Sequence, residues 1–168
     1  MGIVGFGRIG QKVAVIAKAL GMKIIFYNPN KQSDLAISLS LQELFRQSDV
    51  ISLHCPLKPG NREFVNKDLL SLIKPTTFLI NTSRGQLINE QDLADALKQK
   101  KMAGAGLDVL SIEPPVNGNP LIDIPNCIIT PHIAWKSFEA RQRLLQTTLN
   151  NVKVFLSGHP QNVVNPKW

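Results

Sequence analysis

Two patterns of apolar residues alternate along the chain. Short, continuous apolar runs are followed by longer segments whose apolar residues return every three or four positions. The first run, Ile3-Val4, leads into a helix over 8–20, where Ile9, Val13, Ile16, Ala17 and Leu20 recur at helical spacing and Gly21 ends the element. A second strand over 23–27 carries Ile24-Ile25-Phe26, an unbroken run that suits a parallel sheet covered on both faces. Asn28-Pro29-Asn30 closes it as a turn, and residues 31–40 have too little pattern for an element to be assigned. Ser40 with Glu43 three residues on is a capping-box start for a helix over 41–47. Next come a strand over 49–54, ended by Cys55-Pro56, and a helix over 66–73 capped by Asn66. A strand over 76–81 follows, centred on Phe78-Leu79-Ile80, with a loop over 82–85. An amphipathic helix over 89–101 turns Leu93, Ala96 and Leu97 inward. The remainder reads as a strand over 105–109, a proline-rich excursion over 113–125, a last strand over 127–130 and a long closing helix over 137–156.

Alternating strand and helix predicts the α/β class: a Rossmann-type, doubly wound parallel sheet in a single domain. The turn after the first strand supports this, because Gly5-x-Gly7-x-x-Gly10 is the glycine spacing of a dinucleotide-binding unit. Gly5 allows the turn, Gly7 lets backbone approach a pyrophosphate, and Gly10 lets the helix pack on the sheet. The phosphates would sit at the helix N-terminus. With 168 residues, 43% of them hydrophobic and 18% charged, the chain is long and apolar enough to bury a core.

The net charge of +7 raises the question of a nucleic-acid partner. The bases are scattered, however, and the one tight cluster (Lys98, Lys100, Lys101) lacks interleaved aromatics and suits a helix C-terminus. No nucleic-acid partner is expected. No apolar run reaches the ~18–20 residues of a membrane span, and no secretory signal is expected. Cys55 and Cys127 have no metal-ligand spacing, so no metal is expected, and a reduced pair points to the cytoplasm.

In an open parallel sheet, ligands bind beyond the carboxyl ends of the strands. The polar residues just after each strand are Asn28, then His54 and Cys55, then Thr82-Ser83-Arg84, then Asp108, and finally Thr130-Pro131-His132. An arginine, a histidine and acids beside a dinucleotide are the parts of a redox site. The cation holds an anionic substrate and the imidazole moves a proton. His54 and His159 have no supporting motif and read as structural. Asp49 reads as a strand tether, and Cys55 as a small packing residue.

Five segments together resemble the D-isomer-specific 2-hydroxyacid dehydrogenase family. They are 2–10 (Gly-Ile-Val-Gly-Phe-Gly-Arg-Ile-Gly), 54–57 (His-Cys-Pro-Leu), 81–85 (Asn-Thr-Ser-Arg-Gly), 106–115 (Gly-Leu-Asp-Val-Leu-Ser-Ile-Glu-Pro-Pro) and 130–135 (Thr-Pro-His-Ile-Ala-Trp). They keep that family's order and spacing over nearly the whole chain. The His-Ile-Ala-Trp ending and Pro-Gln-Asn-Val-Val at 160–164 most resemble its glycerate dehydrogenase (hydroxypyruvate reductase) branch. The resemblance implies reversible hydride transfer between a nicotinamide cofactor and a small D-2-hydroxy acid. Arg84 would bind substrate and His132 would be the general acid/base, with Glu113 holding His132 and raising its pKa. Gly5, Gly7, Arg8, Ile9 and Gly10 would meet the pyrophosphate. Asn28, Cys55, Thr82, Ser83 and Asp108 would line the ribose or nicotinamide, and His132, Ala134 and Trp135 would close the nicotinamide end. A homodimer is implied too, and relatives of the fold that act as corepressors offer an alternative reading as a dinucleotide-sensing interaction module.

The chain departs from the family's pattern in two ways. Where NAD-preferring members place an acid at the end of the second strand, this chain has Asn28, with Asn30 and Lys31 beside it. The expected cofactor is NAD, with NADP as a rival. In addition, the family's substrate domain is built mostly from sequence before the glycine turn, and here Met1 directly precedes the first strand. The expectation is therefore a cofactor domain with impaired turnover. Its apolar side at Val152, Phe155 and Leu156 would promote association.

Overall fold

The computed structural model describes residues 1–29 and 32–165. Seven strands form one sheet: β1 (Gly2–Val4), β2 (Ile25–Tyr27), β3 (Ile37–Ser38), β4 (Val50–Leu53), β5 (Phe78–Asn81), β6 (Gly104–Leu107) and β7 (Cys127–Ile129). Their spatial order is β3-β2-β1-β4-β5-β6-β7, and every pairing is parallel. The direction of winding reverses between β1 and β4, the switch point at which such sheets bind dinucleotides.

The helices of the sheet domain are α1 (Arg8–Ala19), α2 (Leu41–Gln47), α3 (Lys67–Leu70) and α4 (Glu90–Lys98). Two of them begin at the caps that their sequences predict, and α4 has a cap of the same kind. The Ser40 side chain accepts from Glu43 N, Asn66 from Asp68 N and Leu69 N, and Asn89 from Asp92 N. The sheet is wound on both sides, and alternate strand residues feed separate cores. Val4, Ile51, Leu53 and Leu79 pack with Leu44, Phe45, Leu93 and Leu97. Ile3 and Phe26 pack with Phe6, Ala14 and Ala17 under α1. Each fully buried Leu or Phe contributes about 1.5–3 kcal/mol.

Three features differ from the reading above. In α1 the face against the sheet is Gly10, Ala14 and Ala17, while Ile9, Ile16 and Leu20 of the periodic row are exposed. Small residues one and two turns apart let the helix approach the sheet closely, and large ones would hold it away. The unassigned stretch holds β3, a two-residue edge strand paired to β2. Several ends are shorter: α4 stops at Lys98 and β6 spans Gly104–Leu107 rather than 105–109.

The chain divides into two compact units, Met1–His132 and Ile133–Trp168. The second holds α5 (Phe138–Leu156), capped by Ser137 accepting from Ala140 N, and none of its residues is buried.

Candidate active site

Strand register sets the site. Val4 pairs with Tyr27 and with Leu53, Leu53 with Asn81, Asn81 with Leu107, and Leu107 with Ile129. These six end their strands at one level. The residues after them (Gly5, Asn28, His54, Thr82, Asp108 and Thr130) therefore share one rim, as the polar positions after each strand suggested.

At the switch point the chain turns sharply. Gly5 has φ +94°, and a Cβ there would lie 2.4 Å from Cys55 N, so a side chain is excluded by both conformation and space. A Cβ on Gly10 would come 2.3 Å from Gly5 O. Gly7, in contrast, has nothing within 4 Å of its Cβ position. It is the N-cap of α1, whose first turn has neither a side-chain cap nor an acidic residue. A bare helix start over open space is a cradle that suits an anion. The turn is braced at Phe6, which the sequence reading did not single out. Its N–H donates to Asn28 Oδ1 at 3.0 Å, Gln11 Nε2 donates to its carbonyl at 3.1 Å, and its ring stacks on Phe26 at 4.1 Å. Arg8 and Ile9 open the helix at the mouth of this cradle, both exposed.

Next to it, a cavity of about 570 Å³ lies between the ends of β1 and β2 and the loop after β4, lined by Gly5, Tyr27, Asn28, Cys55, Pro56 and Lys58 among others. Burial pushes the Cys55 thiol up and the neighbouring His54 imidazole down from their ordinary values, so both are neutral groups at neutral pH. His54 Nε2 lies 2.9 Å from Ser52 Oγ. Both residues behave as packing groups. The expectations at Asn30 and Lys31 lie outside the described residues.

Further along the rim, Arg84, Glu113 and His132 line one cavity of about 390 Å³, together with Gln86 and Ser111. Buried Asn81 holds Arg84 in place: its Oδ1 accepts from Ser83 N at 2.9 Å and its Nδ2 donates to Arg84 O at 2.9 Å. Ser83 Oγ donates to Cys55 O at 2.6 Å, which ties the loops after β4 and β5. Thr82 lies exposed in the same loop. A Cβ on Gly85 would fall 1.9 Å from Leu110 C, so only glycine lets the Arg84 turn lie against the loop that leads to Glu113.

His132 Nδ1 is 2.7 Å from Glu113 Oε2, and Glu113 Oε1 accepts from Leu110 N at 2.8 Å, which fixes the carboxylate from both sides. His132 adopts φ +53°, held by its N–H donating to Asp108 O at 2.9 Å and Thr130 O at 3.0 Å. Buried Asp108 accepts from Thr130 Oγ1 and so supports the histidine's backbone. The loop under Glu113 has an anchor that the motifs did not reveal. Glu90 Oε1 accepts from Ser111 N at 2.7 Å, and Glu90 Oε2 accepts from Ser111 Oγ and from Asn119 Nδ2 at 2.8 Å. Gln86 Nε2 donates to Ser111 O at 2.8 Å. Ala134 and Trp135 belong to the second unit, where Lys136 Nζ sits 5.7 Å from the Trp135 ring centroid.

Comparison with known proteins decides the family. Residues 1–134 match the D-isomer specific 2-hydroxyacid dehydrogenase, NAD binding domain. The chain belongs to this family. It is 51% identical over 169 residues to a hydroxypyruvate reductase of Blautia hydrogenotrophica, with 98% of this chain and 52% of that protein covered. It is 44% identical over 166 residues to a glycerate dehydrogenase of Methylorubrum extorquens, at the same coverages. Among solved structures it resembles a D-lactate dehydrogenase from Aquifex aeolicus complexed with NAD and lactic acid. There the TM-score is 0.86 at 35% identity, covering 94% of this chain and 53% of that one. The chain thus spans about half the length of these relatives.

The residues present fit a nicotinamide dinucleotide. The open space at Gly7, the uncapped start of α1 and the flanking cavity suit a pyrophosphate with an attached nucleoside. When bound, the nicotinamide supplies or accepts hydride. Among the described residues no helix is long and apolar enough to cross a membrane.

Proposed function

We propose that the chain is the cofactor-binding half of an oxidoreductase that interconverts a small D-2-hydroxy acid and its 2-oxo acid, with glycerate and hydroxypyruvate the favoured pair. The observation that carries this reading is the gathering of Arg84, Glu113 and His132 around one cavity on the cofactor rim. The planar guanidinium of Arg84 matches a carboxylate and the adjacent carbonyl oxygen. His132, with Nδ1 taken by Glu113 at 2.7 Å, has Nε2 left to give a proton to the carbonyl oxygen in reduction and take it back in oxidation. The relatives named above favour hydroxypyruvate and glycerate. Arg8 and Ile9 would face the pyrophosphate. Thr82, Ser83 and Asp108 would line the nicotinamide side, with Ala134 and Trp135 closing it. On this reading the protein is cytoplasmic, as two free cysteines suit, and forms a homodimer.

The test is a chimera in which this chain replaces the matching half of the Blautia enzyme. It should oxidise NADH on addition of hydroxypyruvate. His132→Ala should lower kcat by about 10²–10⁴-fold and leave NADH affinity within about threefold. A chimera that binds NADH but reduces no 2-oxo acid, or a His132→Ala variant with full turnover, refutes the proposal.

A further inference from the structure

We infer that the adenosine end of this site accepts a 2′-phosphate, so that the chain binds NADPH at least as tightly as NADH, and that Lys58 is the residue that recognises the phosphate. The inference rests on the proposed cofactor reading and adds which cofactor the site selects. The decisive position is the end of β2. An acid there accepts hydrogen bonds from the ribose hydroxyls and repels a phosphate. This chain has Asn28, and the hydrogen-bond network orients its amide. Phe6 N–H can only donate, so the group 3.0 Å from it is the oxygen, Oδ1. The nitrogen is left for the cavity, with one weak local bond to Pro29 O at 3.2 Å. The group offered at the ribose edge is therefore a donor, which suits phosphate oxygens.

Lys58 lines the same cavity as Asn28 and is the only charged side chain, with no carboxylate beside it, in the lining among the described residues. Its backbone is fixed, since Lys58 N donates to Asn61 Oδ1 at 2.6 Å, Asn61 N to Lys58 O at 3.1 Å, and Asn61 Nδ2 to Pro56 O at 2.9 Å. The ammonium has no ion-pair partner among the described residues. A held loop thus brings a cation to a cavity whose lining also holds the Asn28 amide donor. That arrangement carries no penalty for a dianion and gives it two partners.

The test is titration of the 168-residue chain with NADH and NADPH, read by nicotinamide fluorescence, with 5′-AMP and 2′,5′-ADP as competitors. The expected result is an NADPH dissociation constant no larger than that of NADH, with 2′,5′-ADP the stronger competitor. Lys58→Gln should weaken NADPH by about tenfold with NADH unchanged, NADH binding serving as the check on folding. Asn28→Asp should weaken NADPH by about tenfold or more and keep NADH. Binding of NADH tenfold tighter than NADPH overturns the inference, as does a Lys58→Gln variant that weakens both cofactors equally or neither. Failure of both cofactors to bind at millimolar concentration overturns the cofactor-domain reading together with it.

Discussion

At the scale of single residues, two glycines of one turn have opposite jobs, and the same substitution separates them. Alanine at Gly10 would place its methyl 2.3 Å from Gly5 O, a clash with backbone that costs about 1–3 kcal/mol of stability. Alanine at Gly7 meets nothing within 4 Å and sits at φ −77°, which any residue adopts, so stability should change by less than about 0.5 kcal/mol. The methyl does enter the anion cradle, and the NADH dissociation constant should rise about tenfold or more. Urea unfolding paired with NADH titration checks both, and unchanged NADH affinity in Gly7→Ala refutes the cradle. His54 gives a second prediction. Burial lowers its pKa below the ordinary value, so the folded state keeps it neutral while the unfolded chain protonates it below pH ~6.5. Above that pH both states are neutral and the group adds no pH dependence. Below it the unfolded chain binds more protons, and stability falls as pH falls toward the folded-state value. The urea midpoint should therefore drop as the pH falls below about 6.5, and His54→Gln should flatten that drop. An unchanged slope in the variant removes His54 as the cause.

At the scale of elements, the acid loop depends on the first residue of α4. Glu90→Ala leaves Ser111 N–H, Ser111 Oγ and Asn119 Nδ2 without their acceptor, and it should destabilise the fold by about 1–3 kcal/mol. It should also broaden the ring resonances of His132, which is held through Glu113. Unchanged urea unfolding and sharp ring signals would show that the clamp is idle. This anchor also shows what the sequence could and could not reveal. Elements that state themselves locally were legible. Ser40 and Glu43 announced α2, Asn66 announced α3, and Phe78-Leu79-Ile80 announced β5. The rim residues were legible too, because parallel register brings every strand end to one level. Two kinds of information were not local. Glu90 acts on Ser111 and Asn119, 21 and 29 residues away, and Asn81 works through a turn whose geometry has no periodic trace. The buried face of α1 was legible at Gly10 and Ala17 but not at Ala14, for a different reason: periodicity weighs large apolar side chains, while close packing on a sheet selects small ones. β3 is two residues long with Ile37 exposed, too short to show any period.

At the scale of the whole molecule, folding and association draw on different parts of the chain. Among the described residues, every buried apolar side chain lies at or before Ile124, and the last strand ends at Ile129. The sheet and both of its cores therefore lie within the unit Met1–His132. In the second unit, Leu144, Leu145, Leu149, Val152, Phe155 and Leu156 of α5 are each more than half exposed. Contiguous apolar surface of this kind favours association and adds little to the stability of a fold whose core lies elsewhere. A chain ending at His132 should unfold in urea in one cooperative transition, within about 1 kcal/mol of the 168-residue chain. In sedimentation the 168-residue chain should associate as its concentration rises, and the shortened chain should do so much less. Gradual, non-cooperative unfolding of the shortened chain would mean that residues 133–168 complete the core after all. Equal self-association of the two chains would instead assign the sticky surface to α1, where Ile9, Ile16 and Leu20 are exposed on the first unit.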